Sequence, residues 1–187
     1  MDEKLERQTA WDLLSQYNKS EALRKHGLAV EGVMRHFARL YGEDEEVWGV
    51  IGLLHDLDYE MYPEQHCVKS QELMKQHDVP EFYIRAAASH GYGIVVDIRP
   101  ETNAEKVLYT IDELTGLVAA AALMRPSKSV MDLEVKSVKK KFKTLNFAAG
   151  VDRQVILNGC DMLDRTLDDV IEHTILGMRE VHETLGL

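Results

Sequence analysis

Residues 51–60 read Ile51-Gly52-Leu53-Leu54-His55-Asp56-Leu57-Asp58-Tyr59-Glu60, an apolar run that stops at a histidine and then adds three acids. Apolar spacing predicts a buried helix over about Asp44–Leu54, ending at the His55-Asp56 pair. Imidazole and carboxylate groups at such an end are half-buried, which is costly unless something pairs with them. Two partners are open: a metal cation, or a mutual hydrogen bond. Adjacent ligands suit a helix end, because the chain is leaving regular geometry and both side chains can turn toward one point.

Working outward, the same residue types recur on faces predicted to be buried. Ser20 is placed to cap a helix over Glu21–Leu40. Its apolar stripe is Val30, Val33, Met34 and Phe37, and His26, four residues before Val30, lies on it. His36 falls off the stripe and is expected in solvent. A long helix over about Asn103–Met124 has Val107, Leu108, Ile111, Leu114, Thr115 and Val118 on its core side, with Asp112 at the edge of that face. Taken alone, a histidine on an apolar face is more often a satisfied core residue. Asp112 taken alone fits pairing with an arginine or a helix N-terminus as well as with a metal.

The remaining helices are expected at about Glu3–Tyr17, Glu64–Gln76, Glu81–Ser89, Asp132–Lys143, Asp152–Asp161 and Leu167–Leu185. Pro63, Pro80, Pro100 and Pro126 all fall between them, where helices should break. Only Ile94-Val95-Val96 has strand character, too little for a sheet. Eight or nine helices joined by short linkers point to an all-α fold, one compact domain over residues 1–187. A net charge of −10 argues against nucleic acid or an anionic membrane surface as a bulk partner. The apolar runs are too short to span a bilayer, and the acidic N-terminus lacks a signal region. Cys67 and Cys160 form no CxxC pair or disulfide framework, and Cys67 reads as a small packing residue. A cytoplasmic, reduced protein is expected.

Together, one histidine in an early helix, the His55-Asp56 doublet and Asp112 in a later helix match the H…HD…D pattern of the HD-domain superfamily. The string GLLHDLD resembles that family's core motif. The resemblance covers about residues 20–120. It implies an HD core helical bundle reaching about residue 124, followed by a helical extension over about 130–187. It also implies a metal-dependent phosphohydrolase with the metal held by His26, His55, Asp56 and Asp112. His66, in EQHCVKSQELM, and His90, in AAASHGYG, match positions where HDIG-type members hold a second metal. The resemblance therefore implies one or two divalent transition-metal ions (Fe, Mn, Zn, Ni or Co, with Mg open), bridged by Asp56 if there are two. The plain alternatives are an exposed helix start for His66 and a dipole-favoured helix end for His90. His77, His173 and His182 match nothing and read as surface or interface.

The chain departs from the HDIG pattern after the doublet. Gly and then Lys are usual there, and this sequence has Asp58 and Tyr59. Beside Asp56, the nearest candidates to orient or deprotonate an attacking water are Asp58 and Glu60. Asp58 alternatively holds a metal-bound histidine from behind. Phosphoryl transfer also needs cations around the phosphate. Arg24, Lys69 and Lys106 lie close in sequence to the ligands. Lys139 and Lys140, in KSVKKKFK, read either as a solvated face or as substrate contacts. No Gly-rich phosphate loop or nucleophile elbow occurs. The reading is hydrolysis of a small phosphorylated metabolite, a nucleotide foremost, as a monoester or diester. The alternatives are di-iron oxygenase-like chemistry or a non-catalytic metal-binding sensor or scaffold. Amphipathic terminal helices leave a homodimer open.

Overall fold

Local signals at the helix ends account for most of the architecture. The computed structural model describes residues 4–187. It contains α1 (Arg7–Tyr17), α2 (Glu21–Tyr41), α3 (Glu45–Leu54), α4 (Lys69–Gln76), α5 (Glu81–Ala88), α6 (Asn103–Leu123), α7 (Val135–Phe142), α8 (Arg153–Leu163), α9 (Leu167–Glu180) and α10 (His182–Leu185), with 3-10 turns at Pro63–Gln65 and Ser89–Gly91. Ser20 accepts from the Leu23 N–H to open α2, and Asp44 accepts from Glu46 and Val47 to open α3. Thr102 and Glu105 form a reciprocal capping box at the start of α6. There is no strand among the described residues, only an isolated bridge between Tyr92 and Val96. None of their helices is long and apolar enough to cross a membrane.

Helix α2 is the central element, packed by α3, α6 and α9. The α2–α3 contact is backbone on backbone: a Cβ built on Gly52 would lie 3.0 Å from both Glu31 Cα and Glu31 N. Glycine there lets the helices close, which sets His55, just past the end of α3, against His26 on α2. Glu31, nearly buried at that crossing, receives Arg7 from α1 and Arg35 from α2.

Several boundaries differ from the sequence expectation. The start expected at Glu3 lies outside the described residues, and α1 begins at Arg7. The single helix expected over Glu64–Gln76 is a 3-10 turn, then a break around Cys67 (φ 62°), then α4. The Asp58 carboxylate captures the Ser70 N–H at 2.7 Å, fixing the first turn of α4 after the break. The last helix breaks at Val181, where the His182 ring donates to the Arg179 carbonyl. These breaks give ten α-helices among the described residues rather than eight or nine. His36 is half-buried rather than solvated: its Nδ1 lies 2.9 Å from Glu180 Oε1 and its Nε2 2.9 Å from His173 Nδ1. The reason is that α9 covers a second side of α2, so burial extends beyond one stripe. His173 is half-buried with it, while His77 is exposed and bonded to Tyr17.

Candidate metal centre

Helix α3 ends by pointing His55 inward. Its Nδ1 lies 2.7 Å from the Gly52 carbonyl, which can only accept, so Nδ1 carries the hydrogen. In the neutral ring Nε2 then presents a lone pair. Facing it are His26 Nε2 at 3.2 Å, Asp56 Oδ2 at 3.2 Å and Asp112 Oδ1 at 3.3 Å. His26 Nε2 is also 2.9 Å from Asp112 Oδ1. Four residues from α2, the end of α3 and α6 thus converge on one point.

A second convergence lies on the other side of Asp56. His90, in the 3-10 turn after α5, donates from Nδ1 to the Ala87 carbonyl at 2.6 Å. His66 donates from Nδ1 to Asp58 Oδ1 at 2.8 Å. Their Nε2 atoms face each other at 3.0 Å, with Asp56 Oδ1 3.5 and 3.6 Å away. One oxygen of Asp56 thus faces each cluster. The Cys67 sulfur lies 3.6 Å from His90 Nε2, beside this second group.

The donor chemistry fits a metal. Each cluster sets two imidazole nitrogens against one another, and in the second both Nδ1 atoms carry the hydrogen. Neutral rings so held direct lone pair at lone pair, an arrangement that a cation resolves. Within each of two sets, His26/His55/Asp56/Asp112 and His66/Cys67/His90, the possible ligand atoms lie within 4.8 Å of one another. Imidazole with carboxylate suits transition metals such as Zn, Fe, Mn or Ni. Hydrogen bonds behind His55, His66 and His90 fix ring and tautomer as metal sites require.

The electrostatics point the same way. Burial alone would lower the pKa of His55, but Asp56 and Asp112 override it and push it up to about 10. For His66 burial is outweighed by the Asp58 hydrogen bond, and the value rises to about 9. Burial opposes ionisation of Asp56 and Asp112, yet the facing His55 holds both well below the usual carboxylate range. The pocket favours positive charge at its centre and ionised carboxylates around it.

Above the centre opens a cavity of about 330 Å³, floored by His26, Asp56, His66, His90 and Asp112. Its walls are mostly apolar: Leu23 from α2, Tyr59, the Ile94-Val95 rim, Tyr109 from α6, and Val151 and Val155 around the start of α8. Glu113 adds a carboxylate. Burial and the neighbouring Asp112 raise its pKa, and its Oε2 accepts the Asp152 N–H at 3.1 Å.

Other residues singled out from the sequence lie elsewhere. Asp58 is fully buried behind His66 and does not line the cavity. Glu60 accepts the Lys19 and Ser20 N–H groups ahead of α2. Arg24 donates to the Asn18 and Ser15 carbonyls. Lys69 pairs with Glu72, and Lys139 with Asp168. Lys106 is half-buried and Lys140 exposed. Among the described residues no lysine or arginine lines the cavity. Sequence reasoning missed Glu113 and the α8 wall. Glu113 had a signal in its adjacency to Asp112, and the valines had none.

The family model of the HD domain matches residues 23–117, just over half of the chain. The chain belongs to the HD-domain family. No curated protein and no solved structure matches it significantly. The HD-domain match runs from α2 into α6 and contains all six histidine and aspartate residues of the two clusters. Helices α7–α10 lie beyond it.

Proposed function

We propose that this chain is a metal-dependent phosphohydrolase that cleaves phosphate esters of small molecules. The observation that carries the reading is Asp56, with one carboxylate oxygen facing His26, His55 and Asp112 and the other facing His66 and His90. Divalent ions held by these residues would supply Lewis-acid polarisation of a phosphoryl oxygen and a water acidified toward neutrality. His55, His66 and His90 would present Nε2 to the ions, each fixed from behind by its Nδ1–H bond. Asp58 acts here as a positioning residue, since it touches His66 and not the cavity. The apolar walls would enclose the organic part of the ester and displace water around it.

A second reading has one observation in its favour. A cavity without lysine or arginine also suits di-iron oxygenase chemistry on a weakly charged substrate. Elemental analysis of protein purified without chelators, then a phosphate-ester screen of the Mn(II)-loaded protein, separates the two. Hydrolysis with redox-inert metals supports the first reading. Iron with oxygen consumption and no hydrolysis supports the second. In Asp56→Ala, metal uptake and hydrolysis should both be lost with the helical circular dichroism kept. Undiminished hydrolysis in that folded variant would overturn the proposal.

A further inference from the structure

The cavity above the metal centre is unusual in its charge. It is lined by three carboxylates, Asp56, Asp112 and Glu113, and by no lysine or arginine. Proteins that handle polyphosphates bring cationic side chains to each phosphate, because the charge of the second and third groups must be met where they bind. Among the described residues, the only positive charge facing the cavity would come from histidines, with metal ions adding to it. Two divalent ions against Asp56 and Asp112 would leave the centre with a surplus of about two positive charges, which a single phosphomonoester of about −2 cancels. Anything anionic beyond that first phosphate would meet Glu113 without a counter-charge from the described residues that line the cavity.

Glu113 is held in that place. It follows Asp112 on α6, and its Oε2 is fixed by the Asp152 N–H just ahead of α8. The wall also includes the apolar side chains of Val151, Val155, Ile94 and Val95 and the ring of Tyr109. That surface suits an organic group with few charges. At about 330 Å³ the cavity also lies near the small end of ligand clefts, roughly 300–1,000 Å³.

Resting on the phosphohydrolase reading, we propose that the site takes esters with a single phosphate on an uncharged or cationic, largely apolar group. Glu113 is the specificity residue that turns away di- and triphosphates. Glu113→Gln isolates the charge, because the amide oxygen can still accept the Asp152 N–H. Glu113→Asp keeps the charge and should keep the discrimination.

The test compares kcat/KM of the Mn(II)-loaded full chain for p-nitrophenyl phosphate, AMP, ADP and ATP. The wild type should hydrolyse the two monophosphates in preference to ADP and ATP. Glu113→Gln should raise the ADP-to-AMP ratio of kcat/KM about tenfold, mainly through KM, at unchanged metal stoichiometry. Glu113→Asp should retain the wild-type ratio. Equal turnover of AMP and ADP by the wild type would overturn the inference and leave the phosphohydrolase reading standing, as would an unchanged ratio in the glutamine variant. Hydrolysis of none of the four would strike at the phosphohydrolase reading itself, and the inference would fall with it.

Discussion

Asp58→Asn tests whether the second cluster is a metal position. Asp58 is wholly buried and accepts two hydrogen bonds, from His66 Nδ1–H at 2.8 Å and from the Ser70 N–H at 2.7 Å. Asparagine keeps the shape but offers one accepting oxygen and one donating amide. If the oxygen stays with Ser70, the amide NH₂ meets His66 Nδ1–H, donor against donor. The imidazole then either turns away or moves its hydrogen to Nε2, and both outcomes remove the lone pair aimed at His90 and Asp56. Loss of such a supporting carboxylate costs metal affinity about 10–100-fold, or about 1.4–2.8 kcal/mol. Losing a hydrogen bond to a charged group also lowers fold stability by about 1.5–3 kcal/mol. Calorimetric titration of the apo variant with Mn(II), alongside circular dichroism, separates the two effects. The position at His26, His55 and Asp112 should keep its affinity while the second weakens by that factor. Two unaltered affinities in a folded Asp58→Asn protein would refute the argument that Asp58 orients a ligand.

Two further outcomes follow from packing and titration. Gly52→Ala places a methyl 3.0 Å from the Glu31 backbone, so α2 and α3 must part. Overpacking of this kind costs about 1–3 kcal/mol, so thermal melting should drop by about 2–12 °C, and an unchanged Tm would show that the crossing is not tight. Burial pushes the Cys160 thiol from 9.0 up to about 11. Between those values the unfolded chain has released the proton and the folded chain retains it, so stability falls as pH rises, by about 2–3 kcal/mol in total. Urea denaturation at pH 9 and pH 11 should show a smaller decline in Cys160→Ala than in the wild type, and equal declines would count against a buried, neutral thiol.

The parts of this molecule legible in its sequence are those governed by local rules. His26 was placed by its four-residue spacing from Val30, and the α2 start by Ser20. What escaped was set by contacts between distant segments. The break after His66 depends on Asp58 capping a helix twelve residues later. His36 is half-covered by α9, which arrives 137 residues further on at His173. For the cations, nearness in sequence does not make nearness in space. Two residues along a helix turn a side chain by about 200°, so Arg24 faces away from His26 and binds the end of α1 instead. Lys106 is six residues from Asp112, about 240° round the same kind of cylinder, and also misses the cavity.

The boundary of the family match separates the two side-chain clusters from part of the cavity wall. All six histidine and aspartate residues of the two clusters lie within residues 23–117, the part of the chain that the HD-domain model matches. Gly150, Val151 and Val155, which wall the cavity above it, come from beyond that span. So does Asp152, whose N–H fixes Glu113. Helix α8 packs along α6, the helix that carries Asp112 and Glu113, so the extension is built onto the same scaffold as the ligands. Changing α8 would therefore reshape what the cavity admits while leaving the donors where they are. On the proposed reading, the metal chemistry and the choice of substrate would rest on different stretches of this chain, which meet on one helix at the adjacent residues Asp112 and Glu113.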